Sequence, residues 1–195
     1  MHGEPKPAEI AGLPTVETGR LVLQPYGLAD FADCAALWSD PATVVFIGDG
    51  QPLAEEAVWS RVLRQIGHWH AIGYGYWAAR EKANGRFVGE VGFQNLRRDM
   101  RPSLDDRPEI GWVLAASAQG RGYAREAVAG ALAWADRALP ASETACIIRP
   151  THERSIRIAL EAGYRRTGDA RYGAAVMDVF VRPRGFQSSE TVPTS

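Results

Sequence analysis

Hydrophobic positions recur at spacings of three and four over residues 124–135, where Ala124, Ala127, Val128, Ala131, Leu132 and Ala135 share one helical face. The spacing predicts a helix. Before it stand an apolar segment, Glu109-Ile110-Gly111-Trp112-Val113-Leu114, and a glycine-bearing one, Gln119-Gly120-Arg121-Gly122-Tyr123-Ala124. Residues 109–135 therefore read as strand, turn and helix, and the remaining chain is organised around them.

Upstream, Leu21 and Leu23 alternate with other residues in a first strand that Pro25 ends. Asp30 can cap a helix whose Phe31, Cys34, Ala35 and Trp38 lie on one face, stopped at Asp40-Pro41. Glu55 and Glu56 suit a second helix start, with Val58, Trp59, Val62, Leu63 and Ile66 as its stripe and Gly67 near its end. Residues 74–79 and 87–93 read as strands joined at Asn84-Gly85, a hairpin signal. Residues 96–108 form a long charged loop, expected at the surface and available to select a substrate.

Downstream, Leu139-Pro140 breaks the chain and residues 144–148 form an apolar strand. Thr151 or His152 can start a short helix carrying Ile156, Ala159 and Leu160, closed by Gly163. A last hairpin pairs residues 164–172 with 174–181 around Gly173. Residues 1–17, with three prolines, read as a flexible lead-in, and residues 185–195 as a flexible tail.

The turn carries the chemistry. Two glycines before a helix N-terminus leave backbone N–H groups bare, and the helix dipole favours an anion there. Arg121 and Arg125 add positive charge beside it. A glycine-capped loop with two solvated arginines is the ordinary structural alternative. No lysine follows these glycines as a P-loop requires, and position 125 is arginine where a dinucleotide fingerprint needs glycine. A different anionic cofactor is expected.

Gln119-x-x-Gly122-x-Ala124, between strand and helix, resembles the Gln/Arg-x-x-Gly-x-Gly/Ala signature of the GNAT family of N-acetyltransferases. Further segments carry the resemblance in order: Thr18-Gly19-Arg20-Leu21-Val22-Leu23, Ser39-Asp40-Pro41, Phe87-Val88-Gly89-Glu90-Val91-Gly92-Phe93, Glu109-Ile110-Gly111, and Ser155-Ile156-Arg157 ahead of Glu161-Ala162-Gly163-Tyr164. The order is similar to that of the branch that acetylates ribosomal-protein N-termini, and it spans residues 18–184. The resemblance implies one α/β (α+β) domain. Its central sheet would be mixed but mostly antiparallel, with about seven strands splayed at the cofactor site and about four flanking helices.

Composition agrees with one domain. A chain of 195 residues can bury a core without disulfides. The net charge of −1 and pI near 6.4 supply no basic field for nucleic acid. Cys34 and Cys146 sit in apolar segments without metal spacing, and His68 and His70 lack a third ligand, so no metal is expected. No segment reads as a signal peptide or membrane span, so a cytoplasmic protein is expected. The apolar strands and six tryptophans leave room for a homodimer.

The family resemblance implies acetyl-coenzyme A as co-substrate, with its pyrophosphate on Gln119, Gly120, Arg121, Gly122, Tyr123 and Ala124. Its pantetheine arm would bond the main chain of Trp112, Val113 and Leu114. Amide formation needs an unprotonated amine, a donor for the oxyanion and a proton for the departing thiolate. Glu109 is the first candidate for base or water-ordering carboxylate, and Glu90 the second. As an ordinary strand-edge carboxylate, Glu109 would pair with an arginine such as Arg107.

Many relatives carry a tyrosine proton donor where this chain has Ala159, so that role does not transfer. Ser155 is the candidate instead, with helix-turn capping as its alternative. His152 stands where the family often has a pantetheine-binding asparagine, and its imidazole can still donate a hydrogen bond. A covalent route through Cys146 is disfavoured, because an apolar strand raises a thiol pKa. The expected reaction is direct acetyl transfer to a primary amine, either a protein N-terminus or a small amine. A non-catalytic acyl-coenzyme A binding module is the alternative.

Overall fold

The computed structural model describes residues 12–104 and 107–186. The rest of the expected lead-in and tail, and Asp105 and Asp106 of the charged loop, lie outside the described residues. Among the described residues, nine strands form one mixed sheet, in the order β1-β2-β3-β4-β6-β7-β9-β8-β5. These are β1 Val16–Glu17, β2 Leu21–Pro25, β3 Tyr76–Glu81, β4 Phe87–Gln94, β5 Met100–Arg101, β6 Glu109–Leu114, β7 Glu143–Ile148, β8 Arg165–Tyr172 and β9 Ala175–Pro183. The described residues also form five α-helices: α1 Phe31–Ser39, α2 Pro41–Val44, α3 Glu55–Ile72, α4 Tyr123–Ala138 and α5 Glu153–Glu161. The two strands beyond the expected seven correspond to the two-residue β1 and β5, and the fifth helix to the one-turn α2.

The chain separates into two compact units: the described residues up to Gln94 with Gly111–Ala131, and Asn95–Ile110 with the described residues from Leu132 onward. Strand β6 begins in the second unit and ends in the first, and α4 does the reverse.

In the first unit, β1, β2, β3 and β4 pair antiparallel in succession. Val16 and Glu17, expected to be loose, already pair with Leu23 and Val22. One core gathers Tyr26, Cys34, Leu37, Trp38, Val44, Val58, Val62, Tyr76 and Ala78. Of the expected stripes, Cys34 and Trp38 of α1 and Val58 and Val62 of α3 lie in this core, and Phe31, Ala35 and Ile66 pack against it, whereas Trp59 and Leu63 of α3 are exposed. Asp40-Pro41 ends α1 and also starts α2. The Asp40 carboxylate accepts the Ala42 N–H at 2.9 Å, and Pro41 fits the first helical position because its missing N–H is not needed there.

Helix α3 runs past Gly67 to a left-handed Gly73, whose N–H bonds Trp69 O. An interior glycine costs about 1 kcal/mol. Trp69, 2% exposed, offsets that cost: its indole donates to Tyr76 O at 2.9 Å and packs edge-on against Trp77. Burying such a ring contributes about 4–5 kcal/mol.

In the second unit, β7, β9, β8 and β5 pair antiparallel in that order, and β6 pairs parallel with β7 at Glu109 opposite Ala145. Its core includes Met100, Leu104, Ala145, Ala170 and Val179. The charged loop is therefore not all surface: Met100 and Leu104 anchor it from below. Arg182, 4% exposed, is held by a bidentate pair with Asp136 at 2.8 Å on both arms.

Candidate active site

In the first unit, β6 passes close to β4. A Cβ at Gly89 would run into Val113 O, and one at Gly111 into the Tyr76 hydroxyl, so both positions need glycine. Trp112 and Val113 are half-buried and Leu114 is buried. The Gln119 amide donates to Leu114 O at 3.3 Å, tying the start of the turn to the end of the strand. Gly120 and Gly122 take φ of 74° and 78°, conformations that L side chains adopt at a cost. The space around the absent Gly120 Cβ is open.

Residues 119–122 are exposed, whereas Tyr123 is 4% exposed. Glu126 N bonds Gly122 O, so the N–H groups of Tyr123, Ala124 and Arg125 precede the helical ladder. Arg121, read from the sequence as an anion ligand, lies 2.8 Å from Glu81 with its guanidinium over the Tyr123 ring. Arg20 lies over the same ring, donates to Arg121 O at 3.0 Å and pairs with Glu126 at 2.6 Å.

Glu90, 1% exposed, pairs with Arg61 and accepts the Tyr26 hydroxyl at 2.6 Å. The Arg61 guanidinium stacks 4.0 Å from the Trp38 ring centroid. Burial opposes the Arg61 charge, but Glu90 outweighs it and lifts the Arg61 pKa. The same burial, with the Glu90 charge, pushes the Cys34 thiol up to about 12.

In the second unit, Glu109 is 7% exposed and bound by Arg98 through two hydrogen bonds of 3.0 and 3.1 Å. Burial opposes the Arg98 charge, and the bonds to Glu109 overcome it, raising the Arg98 pKa. Arg107, the partner expected for Glu109, pairs with Glu143 at 3.0 Å. His152 is the N-cap of α5 and Ser155 lies in its first turn, their Nε2 and Oγ atoms 3.4 Å apart. Burial, with the nearby Arg154 charge, lowers the His152 pKa and favours neutral imidazole. Burial, with the Glu109 charge, raises the Cys146 thiol well above its usual value.

The family model described as an acetyltransferase (GNAT) domain matches residues 20–165. The chain belongs to the GNAT acetyltransferase family. A GNAT-family acetyltransferase from Bordetella pertussis is 30% identical, with 87% of this chain and 99% of that one covered and a TM-score of 0.75. An acetyltransferase from Agrobacterium tumefaciens is 24% identical, covering 90% and 95%, at 0.74. RimL, a ribosomal α-N-protein acetyltransferase solved with coenzyme A, is 14% identical, covering 87% and 98%, at 0.70. The last two likenesses concern the fold.

This GNAT chain is thus an acetyl-coenzyme A-dependent acyltransferase. Among its described residues no group of three His, Cys, Asp or Glu side chains could hold a metal. No helix among them is long and apolar enough to cross a membrane. Sequence reasoning located the turn but missed Glu81, Arg20, Arg61 and Arg98. Arg20 carried a signal as part of the Thr18-to-Leu23 segment, and Arg98 as part of the charged loop 96–108.

Proposed function

We propose that this GNAT enzyme transfers acetyl from acetyl-coenzyme A directly to a primary amine, a protein N-terminus or a small amine. The observation that carries the reading is the exposed turn with two left-handed glycines leading into α4. Its bare backbone and open space at Gly120 suit a pyrophosphate, which accepts N–H bonds and pairs with the helix dipole. In this reading the turn from Gln119 to Ala124 holds the pyrophosphate, Trp112 to Leu114 offer main chain to the pantetheine arm, and His152 can donate a hydrogen bond to it. The bound cofactor supplies the activated thioester.

Glu109 serves as proton acceptor through a water. Arg98 donates to each of its oxygens and holds the carboxylate in one orientation at the start of β6. Glu90 is the second choice, being enclosed by Arg61, Tyr26 and Trp38. Ser155 supplies the hydroxyl that protonates the departing thiolate, and His152 orients it. Support for direct attack comes from Cys146, a buried thiol that stays protonated and makes a poor acyl carrier.

A thiol-release assay with acetyl-coenzyme A and a panel of peptides, amino acids and polyamines tests the proposal. Amine-dependent release with matching acetylated product is expected. Coenzyme A raising the melting temperature with no release from any amine would overturn it in favour of a binding module.

A further inference from the structure

Glu81 ends β3 at 6% exposure and gathers side chains from two segments. Its Oε1 faces the Tyr123 hydroxyl, Arg121 Nη1 at 2.8 Å and Arg86 Nη2 at 2.9 Å, and its Oε2 accepts Asn84 Nδ2 at 3.0 Å. Tyr123 and Arg121 flank Gly122. We propose that Glu81 is a positioning residue for cofactor binding, clamping the glycine turn so that its N–H groups are set for the pyrophosphate before the ligand arrives.

The inference rests on the acetyl-coenzyme A reading above. A turn with glycines at 120 and 122 has more conformations to lose than any other residue pair would give it. Binding to a loose turn must meet that loss, and binding to a clamped one avoids it. The clamp holds both neighbours of Gly122 to one carboxylate. Arg20 closes it from the bend just before β2, donating to Arg121 O and lying over the Tyr123 ring. Arg121 has a side chain 47% exposed, so it can also turn toward a bound phosphate while the Tyr123 bond keeps the turn in place.

The test compares acetyl-coenzyme A with S-acetylpantetheine, which has the thioester but no pyrophosphate, in wild type, Glu81→Gln and Tyr123→Phe. For Glu81→Gln the KM for acetyl-coenzyme A should rise about tenfold with kcat within twofold, and the KM for the amine and turnover of S-acetylpantetheine should not change. Tyr123→Phe, which removes one hydroxyl, should shift the same KM in the same direction by less. Equal losses with both donors, or no change with either, would overturn the clamp. Calorimetric Kd values for coenzyme A and pantetheine read the same split without turnover. A wild type that binds coenzyme A but acetylates nothing therefore defeats the proposed reaction without deciding the role of Glu81, which the Kd ratio then decides.

Discussion

Arg98 grips both oxygens of Glu109, its Nε 3.1 Å from Oε2 and its Nη2 3.0 Å from Oε1. Fork-to-fork pairing fixes the carboxylate plane. Glu109→Gln keeps the shape, removes the charge and leaves a partly buried guanidinium short of an acceptor. We expect kcat to fall at least a hundredfold, the scale of a lost general base, and stability to drop by roughly 1–3 kcal/mol. Rates within twofold of wild type across every accepted amine would remove Glu109 as the proton acceptor.

Glu81 makes the turn region acid-sensitive. The bond from Tyr123 comes first among its causes, then Arg86, and together they hold its carboxyl at about 2 against an ordinary 4.5. A depressed folded-state value means the folded state binds the proton less well than the unfolded chain. The stabilisation is therefore complete above pH 4.5 and lost as pH falls toward 2. Melting temperatures of wild type and Glu81→Gln should differ most at neutral pH and converge as pH falls to about 2. A gap that widens on acidification would contradict the assignment.

At Gly120 only the backbone angle stands against a side chain, since nothing crowds the missing Cβ. Gly120→Ala should destabilise by about 1–2 kcal/mol, the cost of left-handed backbone for an L residue. Denaturant midpoints check this, and the KM for acetyl-coenzyme A should rise with it. An alanine variant as stable as wild type would show that the turn relaxes to ordinary backbone.

In the second unit, Asp136→Asn would leave Arg182, whose side chain is 5% exposed, with the Ala162 and Phe186 carbonyls but without its paired carboxylate. Uncompensated buried charge is costly, and a loss of about 3 kcal/mol in urea unfolding is expected. Arg182→Met removes both charges' mutual dependence from the other side and should cost less. The reverse order would mean that the Ala162 and Phe186 carbonyls suffice for Arg182 when Asp136 is neutral.

Cys146 is enclosed in β7 and held protonated. Cys146→Ala should retain kcat within about twofold and lose roughly 1–2 kcal/mol of stability through the small cavity it leaves. Loss of turnover in a folded Cys146→Ala protein would reopen the covalent route.

Local pattern determined much of this protein by itself. The strand Glu109–Leu114 has the bounds its apolar run predicts, α4 starts at Tyr123 directly after the second glycine, and the last hairpin turns at Gly173. These features depend on neighbours a few residues apart, and periodicity, capping and glycine content report them. Gly67 misled because a glycine signals an ending only when nothing beyond it is buried, and Trp69 is. Only tertiary structure could decide which charges meet. Glu81 and Tyr123 are 42 residues apart, Glu90 and Arg61 are 29 apart, and Arg98 donates to both oxygens of Glu109. With 22 Lys and Arg against 23 Asp and Glu, composition allows almost any pairing. Packing selects among them, because an ion pair gains only where burial and geometry bring both partners together and leave neither alone.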